Sequence, residues 1–178
     1  MNTTASPSTL RISPALSTTS APTLRTRILA TTRDPAVTVA RLALAGILLP
    51  HGLQHALGLL GGYGFSGTLA WMTKTLGFPA PLAALAIVTE LVAPITLLVG
   101  IGARVAATGL FGLMLGALST HVANGFFMNW FGKLPAGNEG FEYHLLAMAL
   151  ATLVILKGAG ALSLDRRLSR RGGSDATQ

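Results

Sequence analysis

"PHGLQH", residues 50–55, interrupts "VTVARLALAGILLPHGLQHALGLLGG" (residues 37–62), a stretch that otherwise reads as lipid-soluble. Its length is near the ~20 residues that carry a helix across hydrocarbon. Leucine would suit that setting; two histidines, a glutamine and a proline cost free energy unless they face protein, water or a ligand. The stretch therefore predicts a transmembrane helix with one polar wall.

The composition agrees. Of 178 residues, 51% are hydrophobic and 11% charged, with a mean hydropathy of +0.59, against about 25% charged in a soluble domain. No cysteine is present, so disulfides, thiolate metal sites and thiol redox chemistry within the chain are excluded. The net charge of +7 sits mostly in the two tails rather than on an aromatic-bearing face, which argues against nucleic acid. Residues 1–35 are rich in Ser, Thr and Pro and carry no acid before Asp34; this composition predicts a disordered basic tail. It also resembles an organelle transit peptide, although it lacks the apolar core of a secretory signal.

Four apolar segments follow, at about 37–60, 81–100, 104–123 and 140–157, and predict an all-α integral membrane four-helix bundle spanning 36–160. The connection "IGAR" is so short that the second and third helices must be antiparallel neighbours. Segment 61–80 has Leu69, Met72 and Leu76 at helical spacing beside Trp71, and predicts a short interfacial helix. A basic tail, 161–178, closes the chain. Eleven Lys and Arg residues fall on the side of the termini, against Lys74 and Lys133 on the other, so both termini should be cytoplasmic.

With a rise of about 1.5 Å per residue, His51 and His55 fall in the outer half of the first span, Glu90 near the middle of the second, and His121 and Asn124 at the outer end of the third. Glu142 opens the fourth, with His144 expected on a different, interfacial face. One polar layer results, joined by Gln54. Arg41 and Arg104, near the opposite ends, are expected to snorkel. Pro94 removes the amide that would bond the carbonyl of Glu90, and Pro50 does the same to Gly46; a kink is expected beside Glu90. Thr108, Gly112, Gly116 and Thr120 form a small-residue stripe expected to serve close helix packing.

Glu90 is the strongest single signal, because a mid-span acid costs about 2.5–3.5 kcal/mol on insertion scales. His51 and His55, four apart, share a face; with Glu90 or Glu142 they can complete a metal site, though "HGLQH" lacks the glutamate of a zinc-protease helix. Interhelical hydrogen bonding satisfies the same residues without metal. Glu142 equally suits the positive end of a helix.

The ordered pieces "PHGLQHALGLLGGYGFSGTLAWMTKTLGFPAP", "TELVAPITLLVGIGAR", "STHVANGFFMNW", "GFEYHLLAMALA" and "GAGALSLDRRL" resemble the DoxX family of small four-helix membrane proteins, over roughly residues 37–168. The resemblance implies a bacterial inner-membrane protein grouped with oxidoreductases; the related DoxD proteins are membrane subunits of thiosulfate:quinone oxidoreductase, and other relatives are associated with quinone or thiol stress. His51, Gly52, Gln54, Glu90, Asn124, Gly125, Glu142, Tyr143 and Ser163–Asp165 match family-typical positions, whereas His55 stands where lysine is common.

The resulting expectation is a membrane subunit of a quinone-linked oxidoreductase or redox-stress complex. Glu90 and Glu142 would exchange protons, and His51, Gln54, His55, Asn124 and His121 would hold the quinone headgroup. The chain would not be catalytic alone, so a soluble or membrane redox partner must supply electrons, and a homo-oligomer fits as well. Two other classes suit the same layer: a non-catalytic assembly factor or chaperone, and a small proton-coupled transporter.

Overall fold

The computed structural model describes residues 24–135 and 138–174, and these contain helices and turns but no strand. Among the described residues seven α-helices follow one another: α1 (Leu24–Leu29), α2 (Pro35–Leu57), α3 (Gly64–Lys74), α4 (Ala80–Val99), α5 (Ala103–His121), α6 (Glu142–Lys157) and α7 (Leu164–Ser174), with a 3-10 turn (Val122–Asn124) extending α5. Residues 1–23 and 175–178, and with them most of the first tail, lie outside the described residues.

Local chemistry sets the ends of α2 and α4. Asp34 caps α2, its Oδ1 accepting from Ala36 N at 2.8 Å, and Pro35 occupies a first-turn position where no amide is needed. Gly58 and Gly100 end α2 and α4 in the left-handed conformation, at φ 70° and 73°, which glycine adopts at no steric cost.

Among the described residues, three helices are long and apolar enough to cross a membrane: Pro35–Leu57, Ala80–Val99 and the α5 unit Ala103–Asn124. α6, at 16 residues, is shorter. Apolar side chains such as Val39, Leu85, Val88, Val92 and Val105 are exposed along the flanks, as lipid contact requires. This is a membrane protein. α2 packs on α4 and α6, α5 packs on α4 and α6, and the tight turn after Gly100 makes α4 and α5 neighbours as expected. The buried seam of Leu44, Leu48, Leu97, Ala107, Leu110, Ala147 and Ala151 is rich in small residues, which lets helix backbones approach where lipid supplies no hydrophobic drive.

Three expectations need correction. First, α3 is not merely interfacial: it packs on both α2 and α4, and Thr68 is buried. Second, the basic flanks are built into the fold where they are described. α1 packs against α5 and α7; Thr32 N donates to Lys157 O at 3.0 Å, Gly160 N to Thr31 Oγ1 at 2.8 Å, and Ala161 N to Thr38 Oγ1 at 2.8 Å. The cause is polar pairing, which composition does not register. Third, Arg41 does not snorkel: it is 1% exposed and donates to the carbonyls of Leu97, Leu98 and Leu162. Leu97 O also accepts from Gly100 N at the C-cap of α4, and Leu98 O belongs to the last turn, whose carbonyls lack helical partners. A guanidinium has enough donors to serve several carbonyls at once. Arg104 similarly donates to Ala30 O and Ile155 O.

Asp165 completes this end. It is 1% exposed, and its carboxylate accepts from Gly102 N at 2.8 Å and Ala103 N at 3.0 Å while its own amide donates to Gly100 O. α5 begins with no cap of its own; an acid from the far end of the chain supplies it, at the positive pole of the helix.

Candidate functional site

The opposite end of the bundle is open. A cavity of about 820 Å³ lies among α2, α3, α4, α5 and α6, within the ~300–1,000 Å³ range of ligand pockets. "PHGLQH" supplies one wall. His55 Nδ1 and Glu90 Oε2 share a hydrogen bond of 2.6 Å across the α2–α4 contact, with Glu90 12% and His55 36% exposed at the side chain.

Gly52 makes that contact possible. A Cβ at this position would lie 2.7 Å from Leu91 Cα and overlap the Glu90 carbonyl, so only glycine lets α2 reach α4 here. The carbonyl it meets is the one Pro94 leaves without an intrahelical donor. Proline on α4 and glycine on α2 thus act on the same atoms, and α4 is continuous helix from Ala80 to Val99.

A series of rings leads away from Glu90. His55 and His51 have centroids 6.3 Å apart, His51 and Tyr143 6.4 Å, Tyr143 and His144 5.7 Å, and His144 and His121 4.7 Å. His121 Nδ1 lies 2.9 Å from Ala117 O and 3.0 Å from Thr120 Oγ1. All five rings line the cavity.

Three residues that line it each carry a buried polar atom with no hydrogen-bond partner among the described residues: Thr68 Oγ1, Tyr143 Oη and His144 Nδ1. Buried polar groups are ordinarily satisfied, and an orphan costs about 1–3 kcal/mol. Three orphans on one cavity point to a polar guest.

Of the residues expected at the site, His51, His55, Glu90 and His121 come together here. Gln54, Asn124 and Glu142 do not line the cavity. Gln54 Nε2 donates to Leu60 O at 3.1 Å and holds the α2–α3 turn, in which Leu60 takes a φ of 52°. Asn124 Nδ2 donates to Glu139 O at 3.1 Å. Glu142 Oε2 accepts from Met128 N and Trp130 Nε1, each at 3.3 Å. These three side chains hold loops, because turn amides and carbonyls near helix ends compete for the same polar groups. Among the described residues, no group of three or more His, Asp or Glu could hold a metal ion, so His51, His55 and Glu90 do not form such a cluster.

Tyr143, His144 and Thr68 join the site without having been expected there. For His144 a signal existed: it lies on one helical stripe with Ala147, Ala151 and Val154, all buried, a 3–4 spacing that marks an inward face. The polar appearance of "FEYH" hid it. No comparable pattern marks Thr68.

Fold and cavity define a class: a small helical membrane protein with a histidine- and acid-lined chamber at one end of its helices. The DoxX family model matches residues 36–123, and the chain belongs to the DoxX family. The matched segment holds α2 to α5 and most of the 3-10 turn; α6 and α7, with Tyr143, His144 and Asp165, follow it. No curated protein and no solved structure gave a significant match.

Proposed function

We propose that this protein is a membrane subunit that binds the headgroup of a lipid-soluble quinone in the α2–α6 chamber, as part of a quinone-linked redox or oxidative-stress complex. The observation that carries the reading is the hydrogen-bonded His55–Glu90 pair on a cavity wall that also holds three unsatisfied polar atoms. The donor set suits the group: a quinone ring has two carbonyl oxygens that need donors, and Tyr143 Oη and Thr68 Oγ1 are donors without an acceptor. A bound quinone supplies two-electron, two-proton redox chemistry that no side chain of this cysteine-free chain provides.

The residues of the chain do the rest. His51, Tyr143 and Thr68 hold and orient the ring. Glu90 takes up or releases a proton, and its bond to His55 gives that proton a second acceptor 2.6 Å away. α3 covers the chamber and limits water, since Thr68, Trp71 and Met72 form part of the wall. Electrons come from a soluble or membrane partner.

In this reading α6 is the fourth span and the chamber faces outward. Both termini lie in the cytoplasm of a bacterial inner membrane, in accord with the basic residues gathered at the Arg41 and Asp165 end. Protein purified in native-lipid discs should carry stoichiometric quinone on extraction and mass spectrometry. Normal quinone content in a folded Glu90→Gln, His51→Ala double variant contradicts the proposal.

A further inference from the structure

We infer that the Thr108, Gly112 and Gly116 face of α5 is the floor of a slot for the hydrocarbon tail of the chamber's ligand. These glycines are then missing side chains that make room, not a seam for helix packing. The inference rests on the quinone reading and adds to it where the tail runs and which residues set its fit.

The three residues lie one above the other at four-residue spacing and line the chamber. A Cβ at Gly112 or Gly116 would meet nothing within 4 Å, so no helix is packed on them, contrary to the usual role of such a stripe. Towards the other end of α5 the picture changes. A Cβ at Gly109 would come within 3.1 Å of Thr89 Cγ2; α4 and α5 close there and part beyond it. The facing wall on α4 is apolar, formed by Leu82, Leu85 and Ala86. Leu82 and Leu85 are both exposed, so this wall is apolar and accessible to a hydrocarbon chain.

A second observation points independently to a guest. Thr68 is 4% exposed and His144 7% exposed, both line the same chamber, and each carries a buried polar atom without a partner among the described residues. Polar atoms lacking partners together with an apolar slot lacking side chains describe an amphiphile, with its ring among the histidines and its chain along the glycines. The chamber that the stripe lines also has walls from α3 and α4.

The test is binding of two probes to protein in lipid discs: a benzoquinone with a long prenyl chain, and the same ring carrying only methyl groups. Concentrations are expressed per mole of lipid, so that partitioning cancels. Gly112→Leu and Gly116→Leu should weaken the prenylated probe at least tenfold and leave the methyl probe within twofold, with unfolding temperatures equal to or above wild type. Gly112→Ala keeps the experiment informative if a leucine variant fails to fold, and should give a smaller loss in the same direction. Equal binding of both probes by wild type and all variants overturns the slot while leaving the quinone reading intact. Failure of wild type to bind either probe overturns the quinone reading and the slot with it. A wild-type dimer that the leucine variants convert to monomer also overturns the slot, in favour of a seam between copies.

Discussion

The two ends of this bundle treat polar groups in opposite ways. At the end where α1 and α7 pack, Arg41 serves three carbonyls through its terminal nitrogens and Asp165 accepts from two amides, so each makes bonds the fold itself supplies even though Arg41 Nε and Thr32 Oγ1 have no partner among the described residues. At the other end, buried Thr68 and His144 and half-buried Tyr143 line a cavity, each with a buried polar atom unserved by the described residues. Burial alone therefore does not mark a functional group. What separates the ends is whether the fold itself supplies the partner: where it does, the residue stabilises the helix ends, and where it does not, the residue waits for something else.

Substitutions can break this contrast or sharpen it. The largest effect belongs to Asp165→Ala, which strips two charge-assisted hydrogen bonds from the buried start of α5; it should cost about 3 kcal/mol or more, read as a lowered midpoint in thermal unfolding in detergent. A loss below ~1 kcal/mol would erase the distinction between the ends. Gly52→Leu comes next, because its side chain would drive α2 from the Glu90 backbone. It should destabilise by about 2–3 kcal/mol and abolish quinone retention, measured by extraction. Glu142→Gln should cost about 1 kcal/mol by weakening its bonds to Met128 and Trp130, with quinone affinity unchanged within twofold. A large loss of affinity would return Glu142 to the site. The smallest stability effect is expected of Tyr143→Phe: removing an orphaned hydroxyl should leave unfolding within about 0.5 kcal/mol of wild type or raise it, while quinone binding falls several-fold in titration.

The spans were legible because hydrophobic length and glycine or proline punctuation leave marks in a single chain. α2, α4 and α5 begin and end within three residues of the segments read from the sequence. The polar layer was also visible, since depth along a helix follows from residue count. Which members of the layer share a chamber was not visible. Glu142 and Tyr143 are adjacent in sequence, yet one holds the Met128–Trp130 loop and the other faces His51. Successive helical residues point about 100° apart, and only the packing of α6 decides which face turns inward. The pairing of Asp165 with the start of α5 was hidden for a different reason. An acid inside a basic tail carries no periodic signal, and its partners are backbone amides 62 and 63 residues earlier.

Arg41 also imposes an order on biosynthesis. It emerges from the ribosome with the first span, but its carbonyl partners belong to Leu97, Leu98 and Leu162. A nascent chain that has inserted only α2 holds a guanidinium in a setting hostile to charge, and insertion of α4 relieves it only in part. Completion waits for residue 162 to be made. A chain released before it leaves Arg41 Nη2 without the Leu162 carbonyl, so the guanidinium within its first helix is only partly served. Shortening the C-terminus past Leu162 is thus a defect in maturation of the first helix, even though the helix itself is unaltered.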